Sequence, residues 1–379
     1  MQFRDLKAQY MALKEEIDLA INQVIEECSF ISGRQVRELE RELEEYVGVK
    51  HCITCANGTD ALALALMAWE IGPGDAVFVP DFTFFSSGEV VPLLGAQPIF
   101  VDVDASTFNI SCDSLEKMIV KTLEEGKLRP RVIVAVDLFG QPAEYDQLRR
   151  IAEKYDLKIL EDAAQGFGGR IGEQKACSFG DIATTSFFPA KPLGCYGDGG
   201  AIFTDDDSTA EYLRSLCIHG KGKSKYDNIH IGMNSRLDTL QAAILQPKLQ
   251  AFRDYELDNV NKVASWYTEK LKELVRVPVI KEGYYSSWAQ YTIVLADKEQ
   301  RERLQEFLKE HGIPSMVYYF KPMHKQKAFG KFNYDDNSLK NTIDLCDTVL
   351  SLPLHPYMAV ENVEYVANAI TKFLKNFSQ

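Results

Sequence analysis

Thr185-Ser186-Phe187-Phe188-Pro189-Ala190-Lys191-Pro192-Leu193-Gly194 sets a lysine among aromatics, prolines and a glycine, just past a strand-like run that starts at Asp181. One unit upstream, Leu157-Lys158-Ile159-Leu160 leads into Glu161-Asp162-Ala163-Ala164-Gln165, so a second apolar run ends on a carboxylate. Runs 76–80, 98–103 and 131–136 are equally short and apolar, bounded by Gly, Pro or charged residues. Such runs read as strands covered on both faces of a mostly parallel sheet. Segment 144–155 carries Leu148, Ile151 and Ala152 at helical spacing and completes a βαβ crossover into the Leu157 run. Ala201-Ile202-Phe203-Thr204 continues the sheet, and 61–69, apolar all round, reads as a buried helix.

Ahead of this alternation, Tyr10, Leu13, Ile17, Ala20, Ile21 and Val24 form the stripe of an amphipathic helix. Ser32-Gly33 breaks it, and Val36, Leu39, Leu43 and Tyr46 mark a second helix ending near Gly48. The pattern changes near Pro247. A long helix is expected over 248–275, then a strand at 289–296, a helix at 298–311, a strand at 313–318 and a closing helix at 361–373. The expected fold class is α/β: a large α/β/α domain over 1–247, including the N-terminal helices, and a smaller α+β domain over 248–379 entered by the long helix.

A chain of 379 residues with nearly half its residues apolar can bury a sizeable core. The formal charge of −13 argues against general binding to nucleic acid or anionic membranes. No apolar run approaches the ~20 residues that span a bilayer, and Met1-Gln2-Phe3-Arg4-Asp5-Leu6-Lys7 lacks the order of a signal peptide. Eight scattered cysteines suit a reduced, cytoplasmic setting better than a disulfide framework. Cys52-Ile53-Thr54-Cys55 is a single CxxC in a strand-like stretch. It reads as buried thiols before it reads as a redox pair or half a metal site.

The chemistry concentrates at the strand ends. Asn57-Gly58-Thr59-Asp60 precedes the buried helix. Amides at a helix start point outward with partial positive charge and bind phosphate. Gly58 permits close approach, the Thr59 hydroxyl adds a donor, and Asp60 is expected to turn away and cap helix amides. Alone, the tetrapeptide is an ordinary turn. Asp162 lies where open α/β sheets bind ligands, although an isolated Asp-Ala-Ala is usually a helix cap. Gln165 sits within reach of the same ligand. Phe84, in Asp81-Phe82-Thr83-Phe84-Phe85-Ser86, offers a face to a flat ring, although a lone Phe is usually core. A lysine nucleophile, a carboxylate to hold a pyridine nitrogen protonated, a phosphate loop and a stacking aromatic together point to pyridoxal 5'-phosphate. The glycines of 194–200 follow the lysine and open no helix, which argues against a dinucleotide fingerprint.

These motifs resemble those of the DegT-type sugar-nucleotide aminotransferases, pyridoxal phosphate enzymes of the aspartate-aminotransferase fold (PLP fold type I). The resemblance runs from about Phe3 to the C-terminus. It is carried by Asn57-Gly58-Thr59-Asp60-Ala61-Leu62, Glu161-Asp162-Ala163-Ala164-Gln165, 186–194 and Asn234-Ser235-Arg236-Leu237-Asp238. It implies that Lys191 anchors the cofactor covalently, Asp162 pairs with the ring nitrogen, Gln165 bonds the phenolic oxygen and Phe84 stacks on the ring. Gly58, Thr59 and Ser186 are implied to hold the phosphate. It further implies a homodimer with shared active sites, in which Asn234 reaches the neighbouring subunit's phosphate and Arg236 contacts substrate.

Within that family, 187–200 together with 234–243 is most similar to enzymes that aminate C3 of UDP-linked 3-oxo sugars. The implied reaction moves an amino group from L-glutamate, leaving 2-oxoglutarate, to a UDP-linked 3-oxo-2-acetamido sugar, hexose or uronate, for surface polysaccharide or lipid A synthesis. A dTDP-linked 3-oxo or 4-oxo deoxysugar is the alternative; those enzymes more often carry Tyr-Pro-Gly-Lys-Asn before the glycines. His219 and Lys221, with Lys223 and Lys225, are candidates to meet a diphosphate, or a solvated loop. Tyr318, Tyr319, Lys321 and His324 form a second substrate-facing candidate, or equally a domain-packing cluster. Two places depart from the family pattern near the expected substrate. Asp137-Leu138-Phe139-Gly140 replaces His-Leu-Tyr-Gly, and Cys217 replaces an Arg before His219-Gly220. A sugar dehydratase of this fold carries His in place of Lys191. A PLP-binding regulator needs an added DNA-binding domain, and a silent subunit would lack Lys191, Asp162 or Ser186.

Overall fold

The computed structural model describes all residues except Lys225, Asn333, Ser378 and Gln379, and all side chains among these except that of Phe377. The chain enters through α1 (Leu6–Ala12), α2 (Lys14–Glu27) and α3 (Arg34–Val47). The first apolar stripe is therefore two helices. Leu13, at φ −115° and ψ 18°, separates them while its side chain stays buried on the shared face.

Strands and helices then alternate: β1 (His51–Cys55), α4 (Gly58–Ala68), β2 (Asp75–Pro80), α5 (Ser86–Leu93), β3 (Gln97–Val101), α6 (Cys112–Glu125), β4 (Arg129–Val136), α7 (Tyr145–Tyr155) and β5 (Lys158–Asp162). Two short strands, β6 (Arg170–Ile171) and β7 (Gln174–Lys175), precede β8 (Ile182–Ser186), β9 (Gly200–Thr204) and α8 (Asp207–Leu216). The main sheet has the order β1-β9-β8-β5-β4-β2-β3. Its pairings are parallel except at β9, which runs against both neighbours.

Two buried faces explain why these strands read as continuous apolar runs. Val132 and Val134 of β4 pack with α4, α5 and α8, while Ile133 and Ala135 pack with α3, α6 and α7. Leu160 and Ile159 of β5 divide in the same way. Each such Val, Leu or Ile contributes roughly 1.5–3 kcal/mol by leaving water, so neither face tolerates a polar substitution. Cys52 and Cys55 are buried free thiols, and burial pushes both well above the ordinary thiol pKa.

The long helix begins earlier than 248. α9 (Thr239–Ala251) continues through a π-helical turn, Phe252–Glu256, into α10 (Leu257–Leu271), with Pro247 inside α9. Proline removes one helix hydrogen bond. Burial of Ala242, Ala243, Ile244, Leu245 and Leu249 against α2 and α3 outweighs that loss. Beyond it lie β10 (Tyr284–Tyr285), β11 (Tyr291–Val294), α11 (Lys298–Glu310), α12 (Lys340–Thr348), β12 (Val349–Leu352) and α13 (Val360–Phe377). The strand expected at 313–318 does not form. Pro314 has no N–H for a ladder, and Met316 makes an isolated bridge to Ser351. Tyr267, Tyr291, Leu304, Leu308 and Ile370 draw α10, β11, α11, β12 and α13 round a further hydrophobic cluster, while Leu345 and Cys346 of α12 pack with the main sheet.

Candidate active site

Three structural edges meet at the carboxyl ends of β5 and β8: the last residue of β5, the loop after β8, and the first turn of α4. Gly58 and Ser186 meet so closely that a Cβ on Gly58 would lie 2.7 Å from Ser186 Cβ. Gly200 likewise presses on the Asn57 carbonyl, where an added Cβ would lie at 2.6 Å. Asn57, in extended backbone, caps α4: its Oδ1 accepts from Asp60 N–H at 2.8 Å. The cap expected from Asp60 is thus supplied by Asn57, because Asp60 sits at the helix position whose own amide needs an acceptor. The amides of Gly58 and Thr59, at the open end of α4, have no carbonyl four residues back within the helix and face a partly exposed loop. Thr59 Oγ1 lies 2.8 Å from Ser86 Oγ, which donates to Glu89 Oε1 at 3.2 Å.

Asp162 is buried. Its Oδ2 accepts from Ser87 Oγ at 2.7 Å and its Oδ1 from Ala164 N–H at 3.2 Å. Burial raises its pKa; the Ser87 hydroxyl, the Ala164 amide and the charge of Lys191 pull it back. Burial lowers the pKa of Lys191, Asp162 opposes that shift and the charge of Arg4 adds to it. The two groups therefore sense each other, each disfavoured as an ion by its own burial. A cationic pyridine nitrogen against Asp162 relieves one half of that conflict, and the tight Gly58–Ser186 contact shapes a phosphate cradle that a Cβ would fill. On both counts the residues fit pyridoxal phosphate.

Gln165 is held at both ends of its amide. Oε1 accepts from Phe139 N–H at 2.9 Å and Nε2 donates to Tyr319 OH at 3.0 Å, which leaves one N–H for a ligand oxygen. Phe84 keeps 52% of its surface exposed, with its ring 6.4 Å from that of Tyr319, so one aromatic face is open beside Gln165. Burial raises the pKa of the Tyr319 hydroxyl, which stays neutral at ordinary pH.

The remaining candidates divide. His324 does not face the cleft: its side chain is 3% exposed, Nδ1 lies 2.6 Å from Asp81 Oδ2 and Nε2 3.1 Å from Asp336 Oδ1. It fastens the C-terminal segment beneath the stretch that carries Phe84, the packing alternative for that cluster. Tyr318 sits edge-on to Phe3, with ring centroids 6.2 Å apart. His219, Lys221 and Arg236 line a separate cavity of ≈ 790 Å³ with Ser32, His230 and Ile231. Asn234 is exposed on its margin, and the adjacent Ser235 Oγ accepts from Ala56 N–H at 3.1 Å, one residue from the phosphate loop. Lys225 lies outside the described residues. The two departures from the family pattern both turn inward. Asp137 is buried, its Oδ1 accepting from Ala143 N–H at 3.0 Å and Tyr145 OH at 2.8 Å, and Cys217 is a buried thiol.

Ser87 on Asp162 and Arg4 on the Lys191 carbonyl escaped the sequence reading. The Ser86-Ser87 pair just after Phe84 was the available signal for the first; nothing local marks the second. One consequence of the cradle is testable by substitution. Gly58→Ala is expected to weaken cofactor binding by about tenfold or more, roughly 1.4 kcal/mol, in a spectroscopic titration. Gly72→Ala, where an added Cβ meets its nearest neighbour at an ordinary 3.8 Å, is the control. Equal cofactor affinity in the two variants would remove Gly58 from the cradle.

Fold and site together define a pyridoxal phosphate enzyme of fold type I. The chain belongs to the DegT/DnrJ/EryC1/StrS aminotransferase family, which it matches over residues 11–371. It is 47% identical to a solved DegT DnrJ EryC1 StrS aminotransferase from Brucella abortus, covering 98% of this chain and 99% of that one with a TM-score of 0.96. It is 43% identical to the UDP-2-acetamido-2-deoxy-3-oxo-D-glucuronate aminotransferase of Pseudomonas aeruginosa, over 98% of this chain and 99% of the relative. A dTDP-3-amino-3,6-dideoxy-alpha-D-galactopyranose transaminase of Aneurinibacillus thermoaerophilus is 37% identical over 98% and 99%. The activity is that of a pyridoxal-phosphate-dependent sugar-nucleotide aminotransferase, with a nucleotide-linked keto sugar as substrate. Among the described residues no helix is long and apolar enough to cross a membrane.

Proposed function

We propose that the protein transfers the amino group of L-glutamate to C3 of a UDP-linked 3-oxo-2-acetamido sugar, a step toward surface polysaccharide or lipid A, in the cytoplasm. The observation that carries this reading is the 43% identity, over nearly the full length of both chains, to a relative named for a UDP-linked 3-oxo uronate. The relative named for a dTDP sugar also carries its amino group at C3, which supports that carbon even where the nucleotide differs.

The residues divide the work. The Gly58 and Thr59 amides and the Ser186 hydroxyl bind the phosphate, Phe84 covers a ring face, and Gln165 Nε2 donates to the phenolic oxygen. Asp162 holds the ring nitrogen protonated, and Ser87 orients Asp162. When bound, pyridoxal phosphate supplies a sink for the electron pair left at the amino donor's Cα. Lys191 Nζ takes up and returns the proton at that carbon, a role favoured by the burial that lowers its pKa. Lys221, His219 and Arg236 are assigned to the nucleotide diphosphate. A homodimer completes the site: Asn234 is exposed, and Ile231 beside it keeps 91% of its surface open, an apolar projection that a second copy would cover.

A dTDP-linked 3-oxo or 4-oxo deoxysugar is the second reading, favoured by the 37% identical relative. A panel of UDP- and dTDP-linked 3-oxo and 4-oxo sugars, with products identified by mass and by position of the new amine, separates the two. The expected result is preferential turnover of UDP-linked 3-oxo-2-acetamido sugars; turnover confined to 4-oxo substrates would overturn the C3 assignment.

A further inference from the structure

The carbonyl oxygen of Lys191 accepts a hydrogen bond from Arg4 Nη2 at 3.0 Å, and Arg4 Nη1 donates to the Ala289 carbonyl at 3.4 Å. Arg4 thus bridges the loop that carries the reactive lysine and the segment that leads into β11. The bonds of its neighbours fix the backbone around it. The Phe3 carbonyl accepts from Leu354 N–H at 3.2 Å, the Phe3 ring packs edge-on to Tyr318, and Asp5 caps α1 through Ala8 N–H at 2.9 Å.

Among the described residues no carboxylate forms an ion pair with Arg4, and both its hydrogen bonds go to neutral carbonyls. Glu256 is the carboxylate whose charge it feels most, but the Glu256 oxygens are engaged by Gln9 Nε2 at 2.9 and 3.0 Å and by Tyr357 OH at 2.5 Å. Burial pulls the Arg4 pKa down to about 10, a large displacement for a guanidinium. Lys191 and Lys248, both cations, also feel its charge. A guanidinium has five N–H donors in a planar fork; two carbonyls use two of them, and Arg4 is only partly buried, so the others can meet a ligand. A desolvated cation of this kind is stabilised by an anion with two coplanar oxygens.

We propose that Arg4 is a specificity-determining residue that binds a substrate carboxylate beside Lys191. Bond counting favours the amino donor as its source. The carbon that exchanges its proton with Lys191 Nζ bears the α-carboxylate directly, so that carboxylate must lie next to the lysine. The other carboxylate in the reading above is at C6 of a uronate sugar, three bonds from C3. The nucleotide diphosphate is attached at C1, two bonds from C3, and leads away toward the nucleotide. This inference rests on the proposed function, and the same fork would engage either carboxylate.

The test takes the two half-reactions apart in the holoenzyme. Wild type, Arg4→Met and Arg4→Lys are assayed in steady state, with L-glutamate varied against a saturating UDP-linked 3-oxo-2-acetamido hexose or the matching 3-oxo uronate and each sugar varied against saturating L-glutamate, and KM and kcat are read for each. If Arg4 holds the donor's carboxylate, Arg4→Met raises KM for L-glutamate roughly 10- to 100-fold, the size expected for a lost charge-assisted hydrogen bond pair. In that case KM for the hexose is unmoved, kcat at saturation changes far less, and Arg4→Lys recovers part of the loss. If the source is the sugar, the rise appears for the uronate alone. Calorimetric titration with 2-oxoglutarate and with a UDP-linked uronic acid reads the same contrast as binding, without turnover. Unchanged KM for every carboxylate-bearing substrate overturns the proposal. So does a fall in kcat and thermal midpoint with every KM fixed, since a mere clamp between two carbonyls would give that. Failure of the wild type itself to react with L-glutamate or with either sugar counts against the proposed function and is seen before any variant is made.

Discussion

Lys191→Ala is expected to reduce turnover by at least ~10⁴-fold, because one side chain supplies both the covalent link to the cofactor and the group that moves the Cα proton. The fold should survive. Lys191 holds its loop through backbone groups, its N–H donating to the Phe188 carbonyl at 2.9 Å and its carbonyl accepting from Arg4, and alanine keeps both. Removal of a buried amine also relieves a desolvation cost instead of creating one. An unchanged thermal midpoint with turnover lost would therefore locate the defect in chemistry. Partial rescue by small primary amines would identify the missing proton carrier. Residual turnover within tenfold of wild type would mean that another base does this work.

Asp162→Asn is the second large effect, expected at roughly 10²- to 10³-fold in kcat, the range seen when a positioned electrostatic contact to a developing charge is lost. The substitution keeps size and one acceptor oxygen: Oδ1 can keep the bond from Ala164 N–H, while Nδ2 donates to Ser87 Oγ, which turns to accept. What disappears is the negative charge that keeps a pyridine nitrogen protonated. In the unliganded site burial raises the Asp162 pKa, and a cation brings it back down. Cofactor binding and carboxylate ionisation are thus coupled, and Asp162→Asn should lower cofactor affinity as well as kcat. Ser87→Ala should act in the same direction but more weakly, by about 1 kcal/mol, because it removes one donor from an intact carboxylate. If Asp162→Asn retained full turnover, the carboxylate would be structural and the electron-sink account would fail.

The sequence was most legible where function depends on a short stretch at a strand end. Lys191, Asp162, Gly58 and Gln165 each sit at a junction flagged by its own neighbours, and the alternation of apolar runs was enough to place the strands along the chain around them. Boundaries set by packing were less legible. Pro247 reads as the boundary at which a new helix starts, yet the α9 face buried against α2 and α3 carries one helix through it. The 313–318 run looks like a strand, but Pro314 and the lack of a continuous partner leave it as an isolated bridge. Partners distant in sequence were invisible. Ser87 meets Asp162 across 75 positions and Arg4 meets Lys191 across 187, and no periodicity encodes either meeting. His324 stood equally for substrate contact and for packing, and only its burial between Asp81 and Asp336 decides between them.

Lys191, Asp162 and the α4 cradle together should take up an amino group from L-glutamate. The visible absorption spectrum of the protein, incubated with pyridoxal phosphate, before and after addition of L-glutamate shows whether they do. The expected result is a yellow band that bleaches on addition of glutamate and returns with 2-oxoglutarate. A protein that stays colourless with cofactor, or a band indifferent to glutamate, would contradict it.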